Sequence, residues 1–322
     1  MNSLEFTKSL DDLRGKVKGV MERVLDQNDE LLGEIGLYNF QGGGKMLRPL
    51  IYLLSVISLG QPVTEPHLEH SVIFELIHIA SLLHDDIIDQ SNTRRSRKAA
   101  HLAYGVPETI LAGDYLASKA AKLSVMTGSL EFIGILQERI MELSLGELHE
   151  LKARFNPDLT EAEYFEIIRK KTGALFSAAA LGAAILSGAD KEKRDSLGDF
   201  AINYGMSFQI VDDVLDFTAD PKVLGKPILK DQEEGRVTLP FILALEKLPK
   251  SDSLKLKDLG TKEKKDQNDL LMIKDLVTQG DGLQLAKDKA GQFLDKALSA
   301  LKNLPDSESL TLLAKDSLDR TN

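Results

Sequence analysis

The segment ELIHIASLLHDDIIDQSNTRR, residues 75–95, decides the fold class and points to the chemistry. Apolar residues recur at three- and four-residue spacing before the aspartates, which predicts an amphipathic helix. In that helix Asp85 and Asp89 lie on one face, roughly 6 Å apart along the axis, whereas Asp86 points about 100° away. Acids and arginines this close either pair as salt bridges or form two halves of a site for a metal-bound phosphate.

The same helical periodicity runs through most of the chain. Residues 131–155 and 161–188 repeat apolar side chains at helical spacing, and strand signatures are scarce. No linker rich in proline, glycine or serine divides the 322 residues. We therefore expect one all-α domain, residues 1–322, folded as a large helical bundle around a central cavity. The small residues at 178–184 would let its central helices pack closely.

Composition and charge exclude several classes of function. The net charge of −10, from 40 basic and 50 acidic residues, argues against a general nucleic-acid binder. The absence of cysteine excludes disulfides and thiolate metal sites. The first residues, MNSLEFTKSLDDLRGK, lack the apolar core of a signal peptide, and the apolar stretch near 174–188 is too short to span a bilayer. We expect a cytoplasmic protein without a transmembrane segment.

A second acidic cluster repeats the spacing of the first. FQIVDDVLDFTAD, residues 208–220, places Asp212, Asp213 and Asp216 in apolar company. Like charges near 4 Å cost about 4 kcal/mol at an effective dielectric constant of 20, so such clusters need cations. Oxygen ligands favour Mg²⁺, with Mn²⁺ as the alternative, and Mg²⁺ is usually completed by substrate phosphates. We therefore predict a phosphorylated ligand.

Basic residues follow a glycine turn and both acidic clusters. The turn GGGKMLRP, residues 42–49, is not a Walker loop, because Met46 follows Lys45 where that motif has serine or threonine. Each cation alone is an ordinary surface charge. As a set they indicate two anionic sites, one bridged by metal and one held by cations only. The set comprises Lys45, Arg48, Arg94, Arg95, Lys171, Lys226 and Arg236.

These motifs resemble the trans-isoprenyl diphosphate synthases, and specifically the long-chain polyprenyl diphosphate synthases of hexa- to decaprenyl type. The resemblance covers about residues 40–240 and includes LAGDYL (111–116), KTGALF (171–176), GKP (225–227) and GRVTLP (235–240). It implies the isoprenoid synthase fold. It also implies Mg²⁺-dependent, head-to-tail condensation of an allylic diphosphate with successive isopentenyl diphosphates.

The resemblance assigns roles to individual residues. About three Mg²⁺ ions would be bound directly by Asp85, Asp89 and Asp212, with Asp86, Asp213 and Asp216 completing the metal sites through water or through these ligands. The allylic diphosphate would be bound by Arg94, Lys171, Thr172, Lys226 and Arg236, with Gln209 near the reacting carbons. Isopentenyl diphosphate would be bound by Lys45, Arg48, His78 and Arg95. The residues nearest the reaction would be Asp85, Asp86, Asp89, Lys171, Gln209 and Asp212.

The first acidic helix also predicts the length of the product. The growing tail would descend past Ala80 and Ser81, which are small and leave it room. Ile77 lies roughly 12 Å and Phe74 roughly 16 Å below Asp85 along the helix axis. We expect a product of about thirty to fifty carbons, with Phe74 as the floor of its tunnel.

The resemblance leaves alternatives open. The chain could be the catalytic subunit of a two-component synthase, a shorter-chain geranylgeranyl synthase or a non-catalytic homologue. A terpene cyclase is disfavoured, because it normally lacks the second cluster and the GGGKMLRP element. We expect a homodimer, with a heteromer containing a small subunit as the alternative, and transient membrane contact for product release. Three departures from the family pattern, at residues 96–98, Leu229 and Arg236, remove no predicted metal ligand.

Overall fold

A computed structural model of the chain describes residues 3–25, 30–95, 97–218 and 229–319. Helix accounts for 81% of it. None of the helices in these ranges combines the length and apolar character needed to cross a bilayer. Lys226, predicted to bind a diphosphate, lies outside the described residues.

The described helices follow one another with short connections. The first ten are Ser3–Leu25 (α1), Glu30–Gln41 (α2), Leu47–Ser58 (α3), Glu65–Ile88 (α4), Ala100–Ala103 (α5), Val106–Met126 (α6), Leu130–Ala153 (α7), Glu161–Ile168 (α8), Ala174–Leu186 (α9) and Lys191–Thr218 (α10). A π-helical turn, Arg169–Gly173, joins α8 to α9. The rest are Lys230–Glu233 (α11), Leu239–Lys247 (α12), Lys250–Thr261 (α13), Gln267–Gln279 (α14), Gly282–Ala300 (α15), a 3-10 turn at Leu301–Asn303, and Glu308–Asp319 (α16).

The β-structure in the described ranges is one small antiparallel ladder directly after the first acidic cluster. Its strands are Thr93–Arg94 (β1) and Arg97–Lys98 (β2). Thr93 pairs with Lys98 and Arg94 pairs with Arg97. The all-α prediction is therefore confirmed.

The contacts group the chain into two compact units. Unit 1 contains Met1–Gln137, Ala178–Gly198 and Asn303–Leu312. Unit 2 contains Glu138–Ser177, Asp199–Lys302 and Leu313–Asn322. Four of the five boundaries fall inside the continuous helices α7, α9, α10 and α16, and the fifth falls in the 3-10 turn at Leu301–Asn303. The expectation of one domain stays a prediction.

Helix α4 organises the core of unit 1. It begins after Thr64, whose backbone N–H donates to Nδ1 of His67 (3.1 Å), and it packs against α3 and α6. The side chains of Phe74 and Leu83 on this helix are fully buried. Burying each such side chain contributes about 1.5–3 kcal/mol, so packing holds α4 in place up to its acidic end.

The small residues of α9 allow close packing, as the sequence predicts. A methyl group on Gly182 would lie 2.7 Å from Cε2 of Phe132 and 3.0 Å from Cζ of Phe74. Only glycine leaves room for both rings here. The backbone of α9 therefore forms one wall of the aromatic core of unit 1.

Unit 2 has a separate hydrophobic core. It gathers buried residues of α8, α10 and the C-terminal helices, among them Ile210, Val214, Phe217, Phe241, Leu256, Ile273 and Ala290. Because α10 is packed along this core, its last two turns present their acids from a fixed backbone.

Candidate active site

The first acidic cluster stands at the C-terminal end of α4. Asp85 and Asp86 occupy the last turn, and Asp89 is the C-cap residue, its N–H donating to the carbonyl of Asp85 (2.8 Å). Asp85 and Asp89 are partly exposed, whereas Asp86 is fully buried. A helix C-terminus carries a partial negative charge, so three carboxylates there destabilise one another unless cations are close.

Arg94 supplies one of those cations by pairing with Asp86. Its Nε donates to Oδ1 of Asp86 at 2.9 Å, and its Nη2 donates to the same oxygen. Oδ2 of Asp86 is buried and has no hydrogen-bond partner among the described residues. A buried acceptor left without a donor is costly, so this oxygen is suited to a cation or a metal-bound water.

A basic cluster lies elsewhere in unit 1. Arg95 donates from Nη1 to the carbonyl of Asn39 (3.3 Å), and Arg48 stands in the first turn of α3. Glu75, only 3% exposed, is held in the field of both arginines. Burial raises the pKa of Glu75, and the two arginines partly oppose that rise. The sequence interpretation missed Glu75, whose only signal is an acid on a helix face that is otherwise apolar.

His78 lies one turn after Glu75 on the same helix. Burial, followed by the charges of Arg48, Arg95 and Arg94, lowers its pKa well below the usual range for histidine. The imidazole is therefore neutral at neutral pH and offers an N–H donor without a positive charge.

The residues predicted to line the product tunnel lie on α4, the helix that also carries His78. Ala80 and Ile77 are each 5% exposed, and Ser81 donates its hydroxyl to the carbonyl of His78 (2.9 Å). Phe74 is fully buried between Tyr52, with ring centroids 5.6 Å apart, and Phe132, at 6.2 Å. The predicted floor is thus a cluster of three rings.

The second acidic cluster occupies the last two turns of α10. Asp213 is buried, and its carboxylate accepts from the hydroxyl of Tyr164 (2.6 Å) and from Nε2 of Gln209 (2.9 Å). Oε1 of Gln209 accepts from the hydroxyl of Thr172 (2.7 Å). Burial, followed by the charge of Asp231, raises the pKa of Asp213 well above its usual range. The network fixes both ends of the Gln209 amide.

Asp216 has a defined structural contact. Its Oδ1 accepts from the backbone N–H of Lys230 and its Oδ2 from that of Asp231, both at 3.2 Å. These donors belong to the first turn of α11, where unpaired N–H groups attract a carboxylate. Asp216 therefore ties the end of α10 to the segment that carries Arg236. Asp212, by contrast, is partly exposed.

Lys171 and Arg236 stand among carboxylates. Nζ of Lys171 lies 2.8 Å from Glu147 and 2.5 Å from Glu150. Arg236 lies 3.3 Å from Glu150 and also contacts two acids of its own segment, Asp231 and Glu234, at 3.1 and 2.9 Å.

Gly146 explains how α7, which carries Glu147 and Glu150, comes close to the π-helical turn, which carries Lys171. A methyl group on Gly146 of α7 would lie only 2.9 Å from the carbonyl carbon of Lys170, so the π-helical turn can approach α7 only at a glycine. Such turns are frequent at functional sites. The sequence interpretation missed Glu147 and Glu150, although their three-residue spacing puts both on one face of α7.

Within each unit, the structure brings the predicted residues together in part. In unit 1, Asp86 meets Arg94, and Arg48, His78 and Arg95 lie within one another's electrostatic reach. In unit 2, a single chain of hydrogen bonds joins Thr172, Gln209 and Asp213. Lys45 is exposed, and its carbonyl accepts from Arg14 Nε (3.3 Å).

The family model of polyprenyl synthetases matches residues 29–277 of the chain. The chain belongs to the polyprenyl synthetase family. It is similar to the octaprenyl diphosphate synthase of Escherichia coli (strain K12), with 32% identity over 96% of each chain. It is also similar to that of Haemophilus influenzae, with 33% identity over 98% of this chain and 96% of the other.

Solved structures agree with this membership of the polyprenyl synthetase family. A polyprenyl synthase from Caulobacter crescentus CB15, complexed with calcium and isoprenyl diphosphate, superposes with a TM-score of 0.92 at 29% identity, covering 98% of this chain and 97% of that one. A decaprenyl diphosphate synthase from Rhodobacter capsulatus gives 0.90 at 30% identity over 99% of each. The predicted isoprenoid synthase fold and the predicted enzyme class, a long-chain prenyltransferase, are confirmed.

Enzymes of the polyprenyl synthetase family are Mg²⁺-dependent, and the donors in this chain fit that ion. No group of three or more acids or histidines forms a ready-made metal cage in the part of the chain that the structure describes. Paired carboxylates supply the oxygen ligands that Mg²⁺ prefers, and this ion keeps waters and takes further oxygens from phosphates. The unsatisfied Oδ2 of Asp86 is a further oxygen acceptor of the same kind.

Proposed function

We propose that this polyprenyl synthetase condenses an allylic diphosphate with successive isopentenyl diphosphates, through metals held by its two aspartate clusters, to a product of about thirty to fifty carbons. The observation that carries the proposal is the repeated arrangement at two helix C-termini. Each cluster has partly exposed acids, a buried acid held by a fixed donor, and cations within its own unit.

The metal ligands in this proposal are Asp85, Asp89 and Asp212. All three are partly exposed and so accessible to a metal ion, whereas Asp86 and Asp213 are buried and hydrogen-bonded to protein donors. Both carboxylate oxygens of Asp216 accept hydrogen bonds from the N-terminus of α11. This supports an indirect role for Asp216 in metal binding, through water or the other ligands. About three Mg²⁺ ions, when bound, would stabilise negative charge on the leaving diphosphate.

Lys171 and Arg236 bind the diphosphate of the allylic substrate in this proposal. As the C–O bond breaks, the bonding electron pair leaves with pyrophosphate, and the two cations stabilise the charge that develops there. Gln209 and Thr172 lie on a fixed hydrogen-bond network close to the acids, which suits a group that orients the reacting carbons. The predicted roles of Arg94 and Lys226 toward this substrate stay predictions.

Isopentenyl diphosphate is bound in this proposal by Lys45, Arg48 and Arg95, with His78 as a neutral donor. The alkene of this substrate attacks the allylic carbon and forms the new C–C bond. The proton then lost goes to the released pyrophosphate, so no residue of the chain serves as general base. The low pKa of His78 supports its assignment as a hydrogen-bond donor and not as a cation.

The product tail extends along α4 in this proposal, past Ser81, Ala80 and Ile77 to Phe74. The small side chain at Ala80 leaves room, and the three-ring cluster of Phe74, Tyr52 and Phe132 would stop an extending chain. The exact length of the product depends on how far these three rings can move aside.

We propose a second copy of this chain as the enzyme's partner. On α7 the side chains of Met141, Leu145 and Leu148 are 60%, 46% and 44% exposed and form one stripe at helical spacing. In unit 1, Val125, Met126 and Leu130 are 62%, 72% and 85% exposed. Large apolar side chains that stay exposed along one face of a helix indicate an interaction surface. A small heteromeric subunit is the competing occupant.

The test combines the purified chain alone with Mg²⁺, labelled isopentenyl diphosphate and farnesyl or geranylgeranyl diphosphate, and sizes the products by chromatography. We expect long products that disappear with EDTA and fall at least a hundredfold in Asp85→Asn and Asp212→Asn, a loss of about 2.7 kcal/mol of transition-state stabilisation. Asp195→Asn, an exposed acid on the same helix as Asp212, is the matched control. A homogeneous chain without incorporation would support the two-component alternative.

A further inference from the structure

The cations Lys171 and Arg236 share one carboxylate, that of Glu150. Its Oε2 lies 2.5 Å from Nζ of Lys171 and 3.3 Å from Nε of Arg236. Glu147, one turn earlier on α7, also contacts Lys171, at 2.8 Å. The two cations that the proposed function assigns to an anionic substrate are thus already bound by anions of the protein.

Among the residues that the structure describes, several carboxylates lie close to these cations. Those of Glu147, Glu150, Asp231 and Glu234 contact the cations Lys171, Lys230 and Arg236. All seven side chains are at most 28% exposed, so solvent screens them only in part. Oε1 of Glu147 is buried and has no hydrogen-bond partner among the described residues.

Glu150 differs from the other acids in how it is placed. Asp231 and Glu234 belong to the same short segment as Arg236, so they contact it through the local turn. Glu150 comes from α7 and joins two cations from separate segments, which the close approach at Gly146 makes possible. A carboxylate oxygen and a diphosphate oxygen are both anionic acceptors of similar reach. A substrate oxygen that bound both cations at once would therefore have to replace the carboxylate of Glu150.

We propose that Glu150, assisted by Glu147, is a positioning residue that occupies the diphosphate positions on Lys171 and Arg236 and exchanges with the substrate. This inference rests on the proposed function of those two cations. The glutamates hold the cations in place before the substrate arrives, so little side-chain ordering remains to be done on binding. They also compete with the diphosphate, which weakens its binding and helps pyrophosphate to leave.

The test measures binding of inorganic pyrophosphate by calorimetry in EDTA, in an Arg48→Ala background that weakens the second anion-binding cluster. Glu150→Gln should bind pyrophosphate about five- to tenfold more tightly, a gain of about 1–1.4 kcal/mol. The double variant Glu147→Gln/Glu150→Gln should bind it more tightly still, and Glu150→Asp should restore the weaker affinity. Unchanged or weaker binding in Glu150→Gln would overturn the inference.

Two controls separate this inference from other effects. Glu142→Gln on the same helix removes a carboxylate that pairs with Arg139 and Arg169, and it should leave pyrophosphate affinity unchanged. Lys171→Ala should weaken binding; if it does not, the proposed assignment of Lys171 fails, and not only the role of Glu150. In turnover assays with Mg²⁺, Glu150→Gln should lower KM for the allylic diphosphate and lower kcat, a split that a purely structural role would not produce.

Discussion

Tyr164 donates its hydroxyl to Oδ2 of Asp213 at 2.6 Å, and both side chains are buried in unit 2. The other carboxylate oxygen of Asp213 is held by Gln209. Burial raises the pKa of Asp213, while these two hydrogen bonds act in the opposite direction and favour the ionised form. Tyr164 and Gln209 thus hold the carboxyl group of Asp213 in a fixed orientation next to the predicted metal ligand Asp212.

Tyr164→Phe removes this donor and leaves a buried carboxylate oxygen without a partner. We expect the free energy of unfolding to fall by about 1–3 kcal/mol. We also expect kcat to fall, because Gln209 and Asp213 lose their fixed orientation. Denaturant unfolding and steady-state assays measure the two effects. Tyr104→Phe, which removes an exposed hydrogen bond to Glu34, should change the free energy of unfolding by less than about 0.5 kcal/mol. Equal effects in both variants would count against the role of Tyr164.

Glu75→Gln tests the buried acid near Arg48 and Arg95. The pKa of Glu75 is raised by folding above an unfolded value of about 4.3, so between these two values the folded state binds more protons than the unfolded state. The slope of unfolding free energy with pH is therefore negative in that window. We expect the wild type to lose stability relative to Glu75→Gln as the pH rises above about 4.3 and through the raised pKa of Glu75. If the difference in unfolding free energy between the two proteins stays constant with pH, or if the wild type gains stability relative to Glu75→Gln, the raised pKa is refuted.

Gly146→Ala tests the contact between α7 and the π-helical turn. The new methyl group would press on the backbone at Lys170, which cannot move aside as a flexible side chain could. We expect a loss of about 1–3 kcal/mol in unfolding free energy and weaker binding of allylic diphosphate, because Lys171 is displaced.

Gly134→Ala on the same helix is the matched control for that substitution. Nothing lies within 4 Å of its added methyl group, so we expect a gain of about 0.5–1 kcal/mol from helix propensity alone. Similar effects at the two glycines would show that the close contact is not what matters.

Substitutions along α4 test the predicted product tunnel. Ala80→Tyr should shorten the product by several isoprene units, since a ring would fill the path beside a residue now only 5% exposed. Phe74→Leu should lengthen it, because the three-ring cluster loses one member. Leucine is preferred to alanine here, since Phe→Ala in a core costs about 3–5 kcal/mol. Product sizing by chromatography tests both predictions. An unchanged product length in Ala80→Tyr would show that the tunnel does not run along this face of α4.

Much of the chemistry was readable from side-chain type and spacing. The pairs Asp85–Asp89 and Asp212–Asp216 stand four residues apart, so any helix must place each pair on one face. The aspartate motifs, the glycine turn before Lys45 and the order of the basic residues were enough to identify the family. Residues that act through distant neighbours carry no such periodic signal. Tyr164, Glu75, Glu147 and Glu150 were missed for this reason.

The sequence by itself determined the all-α class, the two acidic helix ends and the reaction class, because helical periodicity and metal-ligand chemistry are local properties of the chain. The tertiary structure alone decided which charges are satisfied. It buried Asp86 and Asp213 while leaving Asp85, Asp89 and Asp212 accessible, and it placed Glu150 between Lys171 and Arg236. Ion pairing and burial depend on segments far apart in the chain, and only the packing of the folded helices brings those segments into contact.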